Sequence, residues 1–388
     1  VEHNDRIYVK LQRHLNKQPV GFPATRSGAE INILKHIFTP EEAEIALGLT
    51  YKPEPLTTVL DRVRHLIGTS FELKKRLDEL KKKGGAEAKI KNGVEHYSLV
   101  PLVVGMYEYQ VGRLTPEFVA DFERYSASIR FGIEFLSTKL PQMRTIPVAK
   151  SIQPRHEVST FDEAATLVQQ ADAPFVILEC ICRKKKALAG QACRMTERKE
   201  TCLVMADPAR TFLEMGHGRE ITRDEALAII ELNQEQGLVL QPSNTARTDF
   251  ICSCCGCCCG MLAVHQSLPK PLEFWASNFH AIVDRQACAG CGVCEQTCQV
   301  GAVRVSEKTQ SAVVDLDRCL GCGACVARCP TAAVILVKKP CEVRPPQTRE
   351  DLYDIIMADK KTSWEKLKLT GKLVVDAVRA GQVRLLLP

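Results

Sequence analysis

Cysteine is the residue type with chemistry to offer in this chain, and its spacing narrows which chemistry. Two segments, CAGCGVCEQTC and CLGCGACVARC, read C-x2-C-x2-C-x3-C, placing Cys288, Cys291, Cys294 and Cys298 in one and Cys319, Cys322, Cys325 and Cys329 in the other. The stretch ICSCCGCCCG packs Cys252, Cys254, Cys255, Cys257, Cys258 and Cys259 into eight positions, and CICRKKKALAGQACRMTERKETC carries Cys180, Cys182, Cys193 and Cys202. Adjacent thiols are poor disulfide partners because neighbouring Cβ vectors diverge. The 19 cysteines, all beyond residue 179, are odd in number and come with no signal peptide. That speaks against an oxidised secreted protein and for a reducing, cytoplasmic setting. Thiolates crowded in this way hold soft metal: iron–sulfur clusters, zinc or copper(I).

The two C-x2-C-x2-C-x3-C segments are copies of one unit. AIVDRQACAGCGVCEQTCQVGAV and AVVDLDRCLGCGACVARCPTAAV align at an offset of 31 residues, the mark of a duplicated supersecondary element. A cubane cluster has four irons, each taking one thiolate. Two-residue spacers curl the chain so that three successive cysteines reach three irons, and the fourth ligand comes from the other copy. One [4Fe-4S] cluster is therefore expected on Cys288, Cys291, Cys294 and Cys329, and another on Cys319, Cys322, Cys325 and Cys298. Gly290, Gly292, Gly321 and Gly323 let the loops take positive φ and aim N–H groups at the sulfides. A zinc site would need only half these ligands. Residues 280–338 resemble the two-cluster bacterial-type ferredoxins. One departure is Gln299 after Cys298, where the second copy has Pro330 after Cys329, as in that family.

Cys180, Cys182, Cys193 and Cys202 suffice for one further metal, and a third cubane cluster is the expectation there; a zinc site and partly idle thiols are the alternatives. Arg183, Lys184, Lys185, Lys186, Arg194 and Arg198 surround them with positive charge, which favours thiolates and a negatively charged cluster. Within the six-cysteine stretch, Cys252, Cys254, Cys257 and Cys258 are the lead set for a fourth cluster, with Gly256 and Gly260 giving the loop flexibility. A zinc knot or a redox-active thiol reserve is the alternative. Two strand-like segments, PFVILECIC and LVLQPS, end just before their cysteines, so pairing them would bring the two sites together. Cys341 reads as a free thiol, and His217, between two glycines, as a turn residue.

The elements that must position these thiols give an α+β multidomain chain. It divides into a Pro/Gly-rich arm (1–30), a winged-helix-like domain (31–110), a helical connector and linker (111–150), a cysteine-rich α/β region (151–270), a ferredoxin-like 2[4Fe-4S] domain (271–340) and a C-terminal helical tail (341–388). Thr39-Pro40-Glu41-Glu42 opens a helix with cap, N1 proline and first-turn acids. PLTTVLDRVRHLIG forms the next, and Ser70 caps a third whose inner stripe is Phe71, Leu73, Leu77 and Leu80. Asn92-Gly93 within AEAKIKNGVEHYSLV signals a type I′ hairpin. Three helices followed by a hairpin is the winged-helix order. Residues 111–145 read as helical from Thr115-Pro116-Glu117, and LPQMRTIPVAKSIQPRH reads as a linker. Helices from Thr160 to Ala171 and after Thr222 flank the strand PFVILECIC. Residues 62–91 hold ten Lys/Arg and four Asp/Glu, an excess equal to the net charge of +6 for the whole chain. Lys74, Lys75, Arg76, Lys81, Lys82 and Lys83 on the helix are expected to be exposed, joined by Lys89 and Lys91 on the hairpin; a solvated face is the plain reading of such a patch.

Taken whole, LTPEFVADFERY, CICR…C…ETCL and ICSCCGCCCG followed by the ferredoxin repeat resemble the winged-helix-fronted, multi-cluster 4Fe-4S dicluster proteins of anaerobic bacteria and archaea. The resemblance implies electron transfer beside redox partners, flavoproteins or other oxidoreductase subunits, and fixes no substrate. No apolar run nears the roughly 20 residues of a membrane span. There is no G-x-G-x-x-G after a strand, no Walker A loop and no H-E-x-x-H helix. Three functions compete. The first is an electron-transfer protein or subunit with three or four 4Fe-4S clusters. The second is a redox-sensing winged-helix regulator reading DNA with its basic helix and wing. The third is an oxidoreductase with an unusual catalytic cluster at the six-cysteine stretch, near which His265 alone could do acid–base work.

Overall fold

The computed structural model describes residues 5–152 and 159–382 of a mixed helix-and-sheet protein. It begins with α1 (Arg6–Asn16), which buries Tyr8, Leu11 and Leu15. That helical spacing lies inside the expected arm, whose prolines and glycines begin only at Pro19. α2 (Ala29–Ile37) and α3 (Pro40–Ala46) follow, α3 opening with a capping box in which Thr39 and Glu42 satisfy each other's backbone N–H. β1 (Glu54–Pro55) leads into α4 (Leu56–Val63) and α5 (Ser70–Lys82). Thr69, not Ser70, caps α5, and Leu73, Leu77 and Leu80 form its buried stripe. Phe71 is 83% exposed, because two positions from Leu73 is roughly 200° around a helix. β2 (Ala86–Lys91) and β3 (Val94–Leu99) pair antiparallel around Asn92-Gly93, both at positive φ, and β1 pairs on β3.

The basic segment is less free than its composition suggests. Lys81 is buried with its Nζ 2.7 Å from Glu214. Lys83 pairs with Glu42 at 2.6 Å, Lys89 and Lys91 both face Glu350, and Lys74 sits between Asp78 and Glu95. Lys75, Arg76 and Lys82 stay exposed.

The helical stretch expected over 111–145 consists of two helices, α6 (Pro116–Ser126) and α7 (Ile129–Leu136), the first capped by Thr115 and the second by Ser128. The segment after them is no loose linker. Arg144 is 3% exposed and donates to the carbonyl oxygens of Ser243, Thr245 and Phe161. Residues 153–156 of that segment lie outside the described residues.

The middle region runs α8 (Ala164–Gln170), β4 (Phe175–Glu179), α9 (Ile181–Leu188), β5 (Glu200–Met205), α10 (Ala206–Glu214), β6 (Arg219–Ile221), α11 (Arg223–Glu235), β7 (Val239–Pro242), β8 (Phe250–Cys254) and α12 (Gly260–Ser267). Its five strands form one antiparallel sheet in the order β6-β4-β5-β8-β7. β4 and β7 share this sheet without pairing, since β5 and β8 lie between them. Both faces are covered. Phe175, Ile177 and Leu203 pack with Leu167 and Ile230 on one side, while Val176, Leu178 and Val204 join the N-terminal core on the other. Double burial explains why β4 is continuously apolar instead of alternating.

The C-terminal region pairs β9 (Phe279–Val283) with β12 (Val334–Lys338) and β10 (Val303–Ser306) with β11 (Ser311–Val314), and carries the short helices α13 (Val293–Thr297) and α14 (Ala324–Ala327). The tail folds into α15 (Arg349–Ala358) and α16 (Ser363–Arg379). α15 straps the regions together: Arg349 bridges Glu87 and Asp249, and Tyr51 donates to Asp354 at 2.7 Å. No described helix is long and apolar enough to cross a membrane.

Candidate metal centres

One end of the five-stranded sheet gathers thiols from elements far apart in sequence. Cys180 follows β4 directly and N-caps α9, which places Cys182 in that helix's first turn. Cys202 lies on β5 opposite Leu178, and the β5–β8 register, Leu203 to Ile251, brings Cys252 level with it. Strand alternation then puts Cys252 and Cys254 on one face, while Thr201, Ile251 and Ser253 fall on the other. That second face is held by Asn233, which donates to Thr201 O at 3.2 Å and to Ser253 Oγ at 2.8 Å. After Cys254 the chain turns, with the N–H of Cys259 reaching Cys255 O at 3.1 Å, so Cys259 rejoins the first face as N-cap of α12.

The outcome is a closed ring of six thiols. Cys180 neighbours Cys182 and Cys202, Cys202 neighbours Cys252, Cys252 neighbours Cys254, Cys254 neighbours Cys259, and Cys259 returns to Cys182. Contacts with Cys182 and Cys202, opposed by burial and helped by Arg183, bring the Cys180 thiol well below its ordinary value. Neighbouring thiols and burial push Cys182, Cys202, Cys252, Cys254 and Cys259 well above theirs. Six thiolates could not crowd into a buried space without compensating positive charge, which a bound metal centre would supply.

The ring borders a cavity of about 480 Å³, also lined by Val104, Tyr107, Glu108, Arg183 and Lys185. Val104 is β-branched and sits at φ 57°, a conformation costing on the order of 1–3 kcal/mol and concentrated at functional sites. Burial pushes the Glu108 carboxyl up to about 7, although it accepts the Gly105 N–H at 2.8 Å.

Cys193 stands apart from this ring. Its Sγ lies 3.6 Å from Cys255 and 3.8 Å from Cys257, and Cys257 is 3.6 Å from Cys255 and 3.7 Å from Cys258. Burial pushes the Cys193 thiol up, but the N–H groups of Met195 and Thr196 and the Arg183 guanidinium bring it to about 6. Arg183 is anchored between the two thiol sets by Thr201 Oγ1 and by Ser253 O at 3.0 Å. The sets expected from sequence, Cys180, Cys182, Cys193 with Cys202 and Cys252, Cys254 with Cys257, Cys258, are thus regrouped. The six-cysteine stretch divides three and three. The available signal was the period of two in β8, which ties Cys252 to Cys254 and away from Cys255.

In the C-terminal region Cys288, Cys291, Cys294 and Cys329 line one small cavity. Cys298 lies among Cys319, Cys322 and Cys325. Backbone N–H groups point at the sulfurs, from Ala312 to Cys288 and from Ala281 to Cys319 at 3.4 Å, and from Ala302 to Cys298 at 3.2 Å. Such bonds tune the potential of a bound cluster. Burial pushes the Cys322 thiol up to about 12. Gln299 faces the thiol-rich turn: its Oε1 accepts the Gly256 N–H at 2.9 Å and its Nε2 lies 3.3 Å from Met195 Sδ. Cys341 is exposed. His265 is fully buried edge-on to Trp275, with burial holding it down to about 3, so it is neutral packing.

Residues 287–333 match the family described as 4Fe-4S dicluster domain. No curated protein and no solved structure matches the chain. The match lies on the C-terminal segment, a ferredoxin-like unit, and supports 4Fe-4S cluster binding there.

Proposed function

We propose that this protein relays electrons, in a reducing cytoplasm, between redox partners through three iron–sulfur centres. Two belong to the ferredoxin-like segment, on Cys288, Cys291, Cys294 with Cys329 and on Cys319, Cys322, Cys325 with Cys298. The third sits in the ring of Cys180, Cys182, Cys202, Cys252, Cys254 and Cys259, which offers more thiolates than one cube takes. The observation that carries this reading is Gln299. Immediately after the ligand Cys298, it is hydrogen-bonded to Gly256, in the turn that joins ring members Cys254 and Cys259. The first ferredoxin copy, at the residue after the thiol it lends to the second cluster, is therefore fastened to the loop that shapes the ring, as a relay requires. Each centre's potential would be set by burial and by N–H groups on sulfur.

The partner would be a flavoprotein or other oxidoreductase subunit. The ion pairing of Lys74, Lys81, Lys83 and Lys89 supports a protein-docking surface over a DNA-reading helix, since a major-groove reader needs its cations free. An anaerobic redox titration followed by electron paramagnetic resonance tests the relay. Three reducible centres are expected, one of them lost in Cys202→Ser; two centres, both untouched by that variant, would sink it. The cavity beside the ring favours a second reading, an oxidoreductase acting on a small molecule there, because its volume falls within the range of ligand sites. Turnover of a compound that also alters the ring centre's spectrum would select that reading.

A further inference from the structure

We propose that Cys193, Cys255, Cys257 and Cys258 hold a single zinc ion, a centre of a different kind from the iron–sulfur sites. The sulfur–sulfur separations point to it. Four of the thiol separations are 3.6, 3.6, 3.7 and 3.8 Å, and all four sulfurs lie within 4.8 Å of one another. A tetrahedron with metal–sulfur bonds of about 2.3 Å has edges of about 3.8 Å. A cubane places each thiolate on its own iron, which spreads the four sulfurs much wider. The molecule supplies its own comparison: among the described residues neither ferredoxin set nor the six-thiol ring gathers within 4.8 Å.

The surroundings fit a closed structural ion. Cys255 and Cys258 are buried and Cys193 and Cys257 half-buried, and four thiolates leave no open position for substrate. Soft, tetrahedral S4 coordination suits zinc. Four thiolates around a divalent ion leave two negative charges, met by the Arg183 guanidinium beside Cys193 and Cys255 and by N–H groups of Met195 and Thr196. Binding displaces the protons of whichever of the four thiols are still neutral.

The ion would have a definite task. Cys193 lies between α9 and β5 in a segment without helix or strand, 62 residues from Cys255. Zinc would pin that segment to the turn after β8, fixing Cys254 and Cys259 in the ring and Met195 against Gln299.

The test is metal and acid-labile sulfide analysis of the anaerobically purified full chain, with the zinc-edge X-ray absorption spectrum. One zinc per chain bound by four sulfurs at about 2.3 Å is expected. Cys193→Ser should lose at least nine-tenths of the zinc while keeping its iron and sulfide. If that variant does not fold, the wild-type zinc spectrum decides alone. Wild-type protein without zinc, or iron lost with Cys193, would overturn the assignment. Zinc and iron are counted separately, so this failure and failure of the relay reading are distinguishable.

Discussion

Gly256 lies so close to Gln299 that a Cβ on it would stand 2.1 Å from the Gln299 carbonyl oxygen. Gln266 closes the contact, its Nε2 donating to Gly256 O at 3.3 Å and to Gln299 O at 2.8 Å. The proline that follows Cys329 in the other copy has no amide side chain with which to make such a joint. The departure at Gln299 thus has a physical use: it couples the ferredoxin-like segment to the thiol-rich turn.

Gly256→Ala should force the two loops apart without removing a ligand. Iron content should be retained, while electron transfer between the ferredoxin clusters and the ring centre slows by about tenfold or more, because small displacements of positioned groups cost rates of this order. Anaerobic stopped-flow reduction would measure it, and an unchanged internal rate would show that the joint is not on the path.

Cys298→Ser should disturb the cluster on Cys319, Cys322 and Cys325 and leave that on Cys288, Cys291, Cys294 and Cys329 in place. The basis is crossed ligation, each fourth cysteine serving the opposite loop. Paramagnetic resonance of the reduced variant separates the two, and selective loss of the Cys288 cluster would reverse the assignment.

The ferredoxin-like segment is legible from sequence because its ligands are local: short spacers and a copied unit carry nearly all the geometry. The hairpin at Asn92-Gly93 and the cap at Thr39 are legible for the same reason. The thiol-rich region is not, because its partners are set by sheet order. β5 and β8 are short and carry no hydrophobic period of their own that marks them as strands, and Cys193 meets Cys255 across 62 residues. Arg144 shows the same limit. Its proline-interrupted surroundings read as a linker, yet its two terminal guanidinium nitrogens donate to three backbone carbonyls, two of them about a hundred residues away in sequence.

Lys81 and its exposed neighbours should behave differently on substitution. Lys81→Ala removes a buried cation from Glu214 and should cost on the order of 1–3 kcal/mol, below the full penalty for a buried pair because Glu214 is half exposed. Lys75, Arg76 and Lys82 changed together to Glu should leave the melting temperature near wild type and slow association with a redox partner, a defect that shrinks as salt rises. Tight binding of a DNA duplex by the wild type, abolished by the same triple change, would instead point to a regulator.

Arg349→Ala should loosen α15 from both regions it joins. The guanidinium holds Asp249 and Glu87, each largely buried, so a loss of about 2–4 kcal/mol is expected. Chemical denaturation would register it, and a change below about 0.5 kcal/mol, the size of an ordinary surface substitution, would mean the strap carries no load.

Iron and acid-labile sulfide per chain, counted on anaerobic wild-type protein and on a variant with Cys180, Cys202 and Cys252 all changed to serine, test the three-centre relay most directly. Three clusters of four predict about twelve irons in the wild type, and loss of the ring centre predicts about eight in the variant. About eight irons in both proteins would leave the ring without a cluster and contradict the relay.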